Sequence, residues 1–202
     1  MPSADFFTRL GLFAIKEFLD PEVCARLRAE AEAAEKVHAE VGGEDARYGV
    51  DTRNRKTGIA VVSSEAEAVV ADRLSVVTPE IARHFALELE GSQPLQFLVY
   101  AEGDFFEPHR DRNDSEEAAA FSRGRRVSIV MFLNGETKEP AEHGYGGGAL
   151  TFYELLQGQR GEQIGLPLVG ETGLLVAFDS NLTHGVTPVT HGERYTVVTW
   201  LV

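Results

Sequence analysis

Residues 173–202 read GLLVAFDSNLTHGVTPVTHGERYTVVTWLV. Three runs in this stretch, 174–178, 186–189 and 195–202, are rich in β-branched and aromatic residues and too short for helices. Asp179, Asn181 and His191-Gly192 punctuate them, residue types that turn the chain through local side-chain hydrogen bonds or a positive φ. Toward the N-terminus the pattern repeats at 95–101, 126–133 and 149–153, broken by Asn134-Gly135 and Gly146-Gly147-Gly148. Parallel strands need crossovers of about a dozen residues or more. No helix-length pattern separates most of these runs, which excludes a parallel doubly wound sheet. Strands in this number suggest a sandwich or jelly roll.

Before residue 92 the period changes from two to between three and four. Asp20-Pro21-Glu22 reads as a helix start, with Asp as N-cap and Pro at the first helical position, followed by Val23, Leu27, Ala31 and Ala34 in line. Ser64 with Glu67 forms a capping-box pattern ahead of an apolar face of Ala66, Val69, Val70, Leu74 and Val77. Thr78-Pro79-Glu80 reads as the start of a further helix carrying Ile81, Phe85 and Leu89. Each helix has one apolar face to bury, and a sheet is the available partner. The expectation is an α+β chain organised as one domain over 1–202, with 1–91 as mostly helical support and 92–202 as a jelly-roll core.

Composition bounds the function. With 19 basic and 32 acidic residues the net charge is −13, so nucleic acid, which needs clustered Lys and Arg to neutralise phosphates, is not the expected partner. Cys24 is the single cysteine, which rules out an internal disulfide and a Cys-rich zinc site. No stretch reaches the roughly 18 apolar residues of a membrane span, and Asp5, Arg9, Lys16 and Glu17 interrupt any signal-peptide core. A cytoplasmic protein with no membrane partner is expected, and nothing in the sequence specifies its oligomeric state.

Two segments carry candidate chemistry. His109-Arg110-Asp111 follows the run 95–101 and the turn Glu102-Gly103-Asp104, and His184 follows the run 174–178. Alone, each is weak: a loop His-x-Asp is commonly a local hydrogen bond, and a lone Arg such as Arg194 at a strand start is commonly a solvated end. Together, two imidazoles and a carboxylate are the facial ligand set of non-haem Fe(II) oxygenases, which leaves coordination positions open for an oxo acid and O2. Arg194, ten residues after His184, has the fork that binds a carboxylate bidentately.

The ordered series of motifs resembles the 2-oxoglutarate- and Fe(II)-dependent oxygenases, in their prolyl 4-hydroxylase-like branch. The resemblance covers most of the chain: Phe18-Leu19-Asp20-Pro21-Glu22, Leu98-Val99-Tyr100 through Pro108-His109-Arg110-Asp111, the run 127–134, Gly146-Gly147-Gly148-Ala149-Leu150-Thr151-Phe152, the run 173–179, His184-Gly185-Val186-Thr187-Pro188-Val189, and Gly192-Glu193-Arg194-Tyr195. It implies a double-stranded β-helix, a cupin-like jelly roll, with N-terminal helices packed on the major sheet. It implies Fe(II), 2-oxoglutarate and O2 as cofactor and co-substrates, with ascorbate as a candidate reductant. His109, Asp111 and His184 would ligate the metal, and Arg194 and Tyr100 would bind the co-substrate. Thr196 and Trp200 share the side-chain parity of Arg194 and, with Val130, would line the pocket. Two departures stand out: many prolyl 4-hydroxylases have Lys in the place of Arg194, and Phe132 stands where some relatives carry a second tyrosine. The implied reaction couples decarboxylation of 2-oxoglutarate to succinate and CO2 with hydroxylation of a substrate C–H.

A prolyl residue in a peptide or protein is the first substrate expectation, a free amino acid or other small metabolite the second. A non-catalytic Fe(II)- or O2-sensing jelly roll is a further alternative. Residues 102–117 hold seven acidic and two basic side chains, which suits either a solvated loop or a cationic substrate, while Arg47, Arg53, Arg55 and Lys56 form an opposite patch. The 154–167 loop and the 44–60 segment are candidate lids over the site. His38, His84, His143 and His191 are read as structural or solvated, with a supporting role at the site open for His143.

Overall fold

The computed structural model describes residues 4–38, 55–115, 120–156 and 164–202. Residues 44–54 of one candidate lid, with Arg47 and Arg53, and 157–163 of the other lie outside them. In chain order the elements are α1 (Ala4–Arg9), β1 (Phe13–Ile15), α2 (Pro21–Ala33), β2 (Lys36–His38), β3 (Arg55–Lys56), β4 (Gly58–Ala60), α3 (Ser64–Phe85), β5 (Gln96–Tyr100), β6 (Phe105–His109), α4 (Ala120–Arg123), β7 (Val127–Phe132), β8 (Tyr145–Gly147), β9 (Leu150–Phe152), β10 (Leu166–Leu168), β11 (Leu175–Asp179), β12 (His184–Val186), β13 (Val189–Gly192) and β14 (Arg194–Leu201).

Two antiparallel sheets face each other. The major sheet has seven strands in the order β1-β11-β7-β14-β5-β4-β2, and the minor sheet has five in the order β10-β9-β12-β6-β3. A β8–β13 ribbon adds a separate pair. This is the expected jelly roll, with one change in its composition. The N-terminal part contributes four strands as well as helices: β1, β2 and β4 extend the major sheet and β3 the minor one. They are two or three residues long, too short to show a period of two. The expected strand over 186–189 is two strands in different sheets, because Pro188 sits between β12 and β13 and cannot donate to a ladder.

The alternation of β14 and β7 divides the core. Outward, Tyr195, Val197 and Leu201 with Val127, Ile129 and Met131 pack under Cys24, Leu27 and Ala31 of α2 and Val70, Leu74 and Ile81 of α3. Inward, Val130, Phe132, Val176 and Phe178 meet Leu150, Phe152, Leu166 and Leu168 of the minor sheet. The helices therefore cover the major sheet as expected, while the space between the sheets is left for the site.

Two helix boundaries differ from the sequence expectation. Pro79 does not start a new helix: α3 runs through it from Ser64 to Phe85. A proline inside a helix costs about 3 kcal/mol, but Val70, Leu74, Val77 and Ile81 continue one buried face across it, and that burial decides. The cap of α3 is Ser63 rather than Ser64, its hydroxyl accepting from the Ala66 N–H at 3.2 Å. Asp20 does precede Pro21 as the N-cap of α2, but its carboxylate pairs with Arg73 instead of capping. Among the described residues no helix is long and apolar enough to cross a membrane.

Candidate metal centre

His109 ends β6, His184 begins β12, and the antiparallel register sets the two directly opposite. The β6 strand bulges here: the four residues from Phe106 to His109 oppose the three from His184 to Val186. The extra residue turns Phe106 and His109 to the same face, where their rings stack at 3.5 Å with an interplanar angle of 17°. Asp111 follows on a loop pinned by its own N–H and that of Arg112, both donating to the Ser180 carbonyl at 3.0 Å. The loop after β11 thus fixes the carboxylate beside the histidine that the same loop leads into.

The donor atoms converge. Asp111 Oδ1 lies 3.5 Å from His109 Nε2, and Oδ2 lies 3.4 Å from His184 Nε2. One ligand atom from each residue falls within 4.8 Å of the others, a set able to hold a metal ion. Each ring is oriented from behind, His109 Nδ1 on the Glu107 carbonyl at 2.8 Å and His184 Nδ1 on the Leu182 carbonyl at 2.9 Å. A carbonyl accepts only, so Nδ1 carries the proton and Nε2 presents its lone pair to the centre. Burial lowers the His184 pKa to about 4 against the opposing pull of Asp111, keeping the ring neutral and free to coordinate. Burial works against ionisation of Asp111. The His184 and His109 rings when protonated, and the Ser128 hydroxyl, outweigh it and hold the carboxyl well below the usual range. Ser128 Oγ donates to Asp111 Oδ2 at 2.6 Å and meets Ser180 Oγ at 3.0 Å. Neutral imidazoles with an anchored carboxylate are the donor chemistry of a divalent non-haem iron site.

A second polar cluster lies along the inner face of the sheet. β7 turns Ser128, Val130 and Phe132 inward in that order, and β14 pairs Trp200, Val198 and Thr196 with them. Arg194 lies beyond, paired in register with Tyr100. Its guanidinium carbon is 5.1 Å from the ring centres of both Tyr100 and Phe132, and Nη1 donates to Thr196 Oγ1 at 3.3 Å. Gly148, at φ +57°, lets its stem pass: a Cβ there would lie 3.1 Å from Arg194 Cδ. Among the described residues, Arg194 Nε, Tyr145 Oη and Glu136 Oε2 are buried without a hydrogen-bond partner. Orphaned buried polar atoms are costly and call for a ligand; two of these can donate, which fits a carboxylate. Burial pushes the Tyr145 phenol up to about 12, with Arg194 opposing.

All eight residues expected at the site from sequence face the inside of the barrel. His109, Asp111 and His184 form the metal set; Arg194, Tyr100 and Thr196 form one cluster; Trp200 and Val130 line the wall. Trp200 carries the Arg125 guanidinium 3.4 Å above its ring. His84 and His143 are exposed, and His191 packs on Thr137, so none approaches the metal set. The sequence reading missed Ser128, Ser180, Tyr145 and Phe106. The parity of 127–132 would have turned Ser128 inward, a signal that was present; the bulge that re-aims Phe106 leaves none.

A two-sheet barrel with this donor set is the architecture of a 2-oxoglutarate- and iron-dependent oxygenase, and the sequence agrees. The 2OG-Fe(II) oxygenase superfamily matches residues 95–202, just over half of the chain, which belongs to that family. It is therefore an enzyme of the dioxygenase class, with Fe(II) as cofactor and 2-oxoglutarate and O2 as co-substrates. Among relatives, "Probable prolyl 4-hydroxylase 6" of Arabidopsis thaliana is 25% identical over 216 residues, covering 94% of this chain and 68% of the relative. In fold it resembles a Pseudomonas putida prolyl-4-hydroxylase (TM-score 0.68, 24% identity, 98% of this chain and 95% of that one). It also resembles a Trichoplax adhaerens prolyl hydroxylase solved with a hypoxia inducible factor peptide (TM-score 0.66, 18% identity, 98% and 86% covered).

Proposed function

We propose that this chain hydroxylates a prolyl residue in a peptide or protein, holding Fe(II) with His109, Asp111 and His184 and the distal carboxylate of 2-oxoglutarate with Arg194. The observation that carries the reading is the convergence of two carbonyl-oriented Nε2 atoms and one anchored carboxylate on a single point. The prolyl substrate rests on the relatives' names and the shared fold.

When bound, iron with 2-oxoglutarate and O2 supplies the oxidising chemistry: the oxo acid loses CO2 to become succinate and the substrate C–H gains oxygen. The protein supplies geometry. Ser128 holds the Asp111 carboxylate in one orientation, and the carbonyls of Glu107 and Leu182 hold the two rings. Arg194, fixed by Thr196 and framed by Tyr100 and Phe132, would meet the far carboxylate with a charge-assisted fork. Tyr145, on β8, would offer its buried hydroxyl to the same carboxylate, where Phe132 offers none. Phe106, Phe152 and Phe178 surround the two histidines and keep water from the reacting centre. Ascorbate would serve to return iron to the ferrous state, and the chain would act in the cytoplasm.

The test is an anaerobic titration of Fe(II) and 2-oxoglutarate into metal-stripped protein, following the visible charge-transfer band of the chelated oxo acid. A band is expected in wild type and none in His109→Ala. In Arg194→Ala metal content should hold while the 2-oxoglutarate midpoint rises about a hundredfold, the loss of a buried charge-assisted pair. No band from metal-loaded wild type would overturn the assignment. Hydroxyproline formed in a proline-containing peptide in step with succinate identifies the substrate class; succinate formed only with free amino acids would replace it.

A further inference from the structure

Two guanidinium groups at the mouth of the barrel form no ion pair among the described residues and have no part in the chemistry assigned so far. Arg55, on β3, pairs in register with Phe106 and so turns inward with it, its guanidinium carbon 4.8 Å from the Phe106 ring centre. It is only 9% exposed, and its Nε is buried without a hydrogen-bond partner among the described residues. Phe106 in turn stacks on His109, so this wall of the mouth runs from the metal set through one ring to a buried cation. Arg125, just before β7, lies over Trp200 and 5.1 Å from the Phe121 ring centre. It donates to the Gln93 side chain at 3.0 Å and to the Asp111 main-chain oxygen at 3.4 Å, neither of which cancels its charge. The Asp111 carboxylate is near enough to attract it, and Arg55 near enough to repel it.

The surrounding charge makes this conspicuous. The chain carries a net charge of −13, yet three bases of the rim are held in ion pairs. Lys56 holds Asp104, Arg110 holds Glu154 and Arg112 holds Asp114. Within 102–115, Asp104 and Asp114 are paired in this way and Asp111 faces the metal set, while Glu102 and Glu107 are exposed. Inward of the rim, Arg55 and Arg125 place two positive charges beside the single carboxylate of Asp111. A buried cation without a partner is unfavourable unless an anion joins it. Arg194 lies at the other end of the inner face, beyond Thr196, and its carboxylate partner is already assigned to the co-substrate.

We infer that Arg55 and Arg125 form an anion-binding cleft for the primary substrate, which presents a carboxylate close to the carbon that is hydroxylated. This rests on the oxygenase reading above and narrows it. The carboxylate has two sources, an Asp or Glu side chain beside the target proline or the free α-carboxylate of an amino acid. The planar faces of Phe106 and Trp200 hold the guanidiniums in place before the anion arrives, so little ordering remains at binding.

The experiment uses the full chain loaded with Mn(II) and 2-oxoglutarate, which binds substrate without turnover. Capped and amidated proline peptides carrying Asp, Asn or Lys next to the proline, together with free proline and prolinamide, are titrated by calorimetry. The Asp peptides are expected to bind at least about tenfold more tightly than their Asn counterparts, and Lys peptides more weakly still. The preference should shrink at high salt. In Arg55→Met, which keeps the apolar contact with Phe106, and in Arg125→Gln the Asp and Asn peptides should bind alike. Arg55→Glu should shift the preference toward Lys. Free proline binding well above prolinamide, with no peptide preference, assigns the carboxylate to an amino acid. Equal binding of acid and amide throughout, or a preference for Lys in wild type, overturns the inference. The Fe(II)–2-oxoglutarate band separates the two failures: a normal band without carboxylate preference removes the anionic cleft alone, whereas no band removes the oxygenase reading beneath it.

Discussion

On the side of β14 turned to the helices, Tyr195, Val197 and Leu201 join Phe97, Val99, Ile129 and Met131 in an apolar layer closed by α2 and α3. On the opposite side of the same eight residues, Arg194, Thr196 and Trp200 meet Tyr100, Ser128 and Arg125. The two faces obey different constraints. The outer one needs apolar volume of about the right shape, and many residue sets provide it. The inner one needs particular donor atoms at particular points, and each atom is held by another residue: Arg194 by Thr196, Asp111 by Ser128, His184 by a carbonyl. A buried strand can carry chemistry on one face because the other supplies the packing that keeps it still.

Breaking the inner face at the metal is the largest expected effect. Asp111→Ala removes the carboxylate between the two Nε2 atoms, and turnover of 2-oxoglutarate should fall to background with the iron lost. The melting temperature of the metal-free protein should stay within a few degrees of wild type, since no apolar packing depends on this side chain. Retained iron and turnover would break the contrast between the faces.

Leu201→Ala makes the reverse cut. Leu201 is 1% exposed and packs outward under the helices. Its truncation should cost about 2–5 kcal/mol, read as a lowered midpoint of denaturant unfolding, while the 2-oxoglutarate midpoint of the folded protein stays at its wild-type value. A shifted co-substrate midpoint without lost stability would mean that the faces are not separable.

The outer face is legible in the sequence because parity and helical period select it directly: Ile129, Met131, Val197, Leu27 and Leu74 all fall where alternation and three- to four-residue spacing place them. Pro79 marks the limit, since a local breaker is outvoted by burial that only the folded chain reveals. The metal set is legible from residue types in a known order. Its supports are less so. Ser128 stands in an otherwise apolar strand and is legible by parity, whereas Phe106 depends on a bulge and Arg55 on pairing between β3 and β6, about fifty residues apart. Tyr145 reaches the Arg194 cluster from the ribbon β8, whose Gly-rich sequence shows no strand pattern.

Tyr145 gives the sharpest form of the comparison, because it is fully buried yet belongs to the inner face by its hydroxyl alone. Gly170 makes room for that hydroxyl: a Cβ there would sit 2.1 Å from Tyr145 Oη. In Tyr145→Phe the ring and its packing remain, and the atom removed has no hydrogen-bond partner among the described residues. Stability should therefore hold or rise slightly, since an unsatisfied buried hydroxyl is itself unfavourable. If the hydroxyl serves the co-substrate carboxylate, 2-oxoglutarate should bind about tenfold more weakly, the typical weight of a hydrogen bond to a charged group. Succinate, which has the distal carboxylate but no oxo acid chelate, should weaken by the same factor as a competitor. Unchanged affinity for both ligands would leave the carboxylate to Arg194 and its Thr196 support, and would return Tyr145 to the packing side of the comparison.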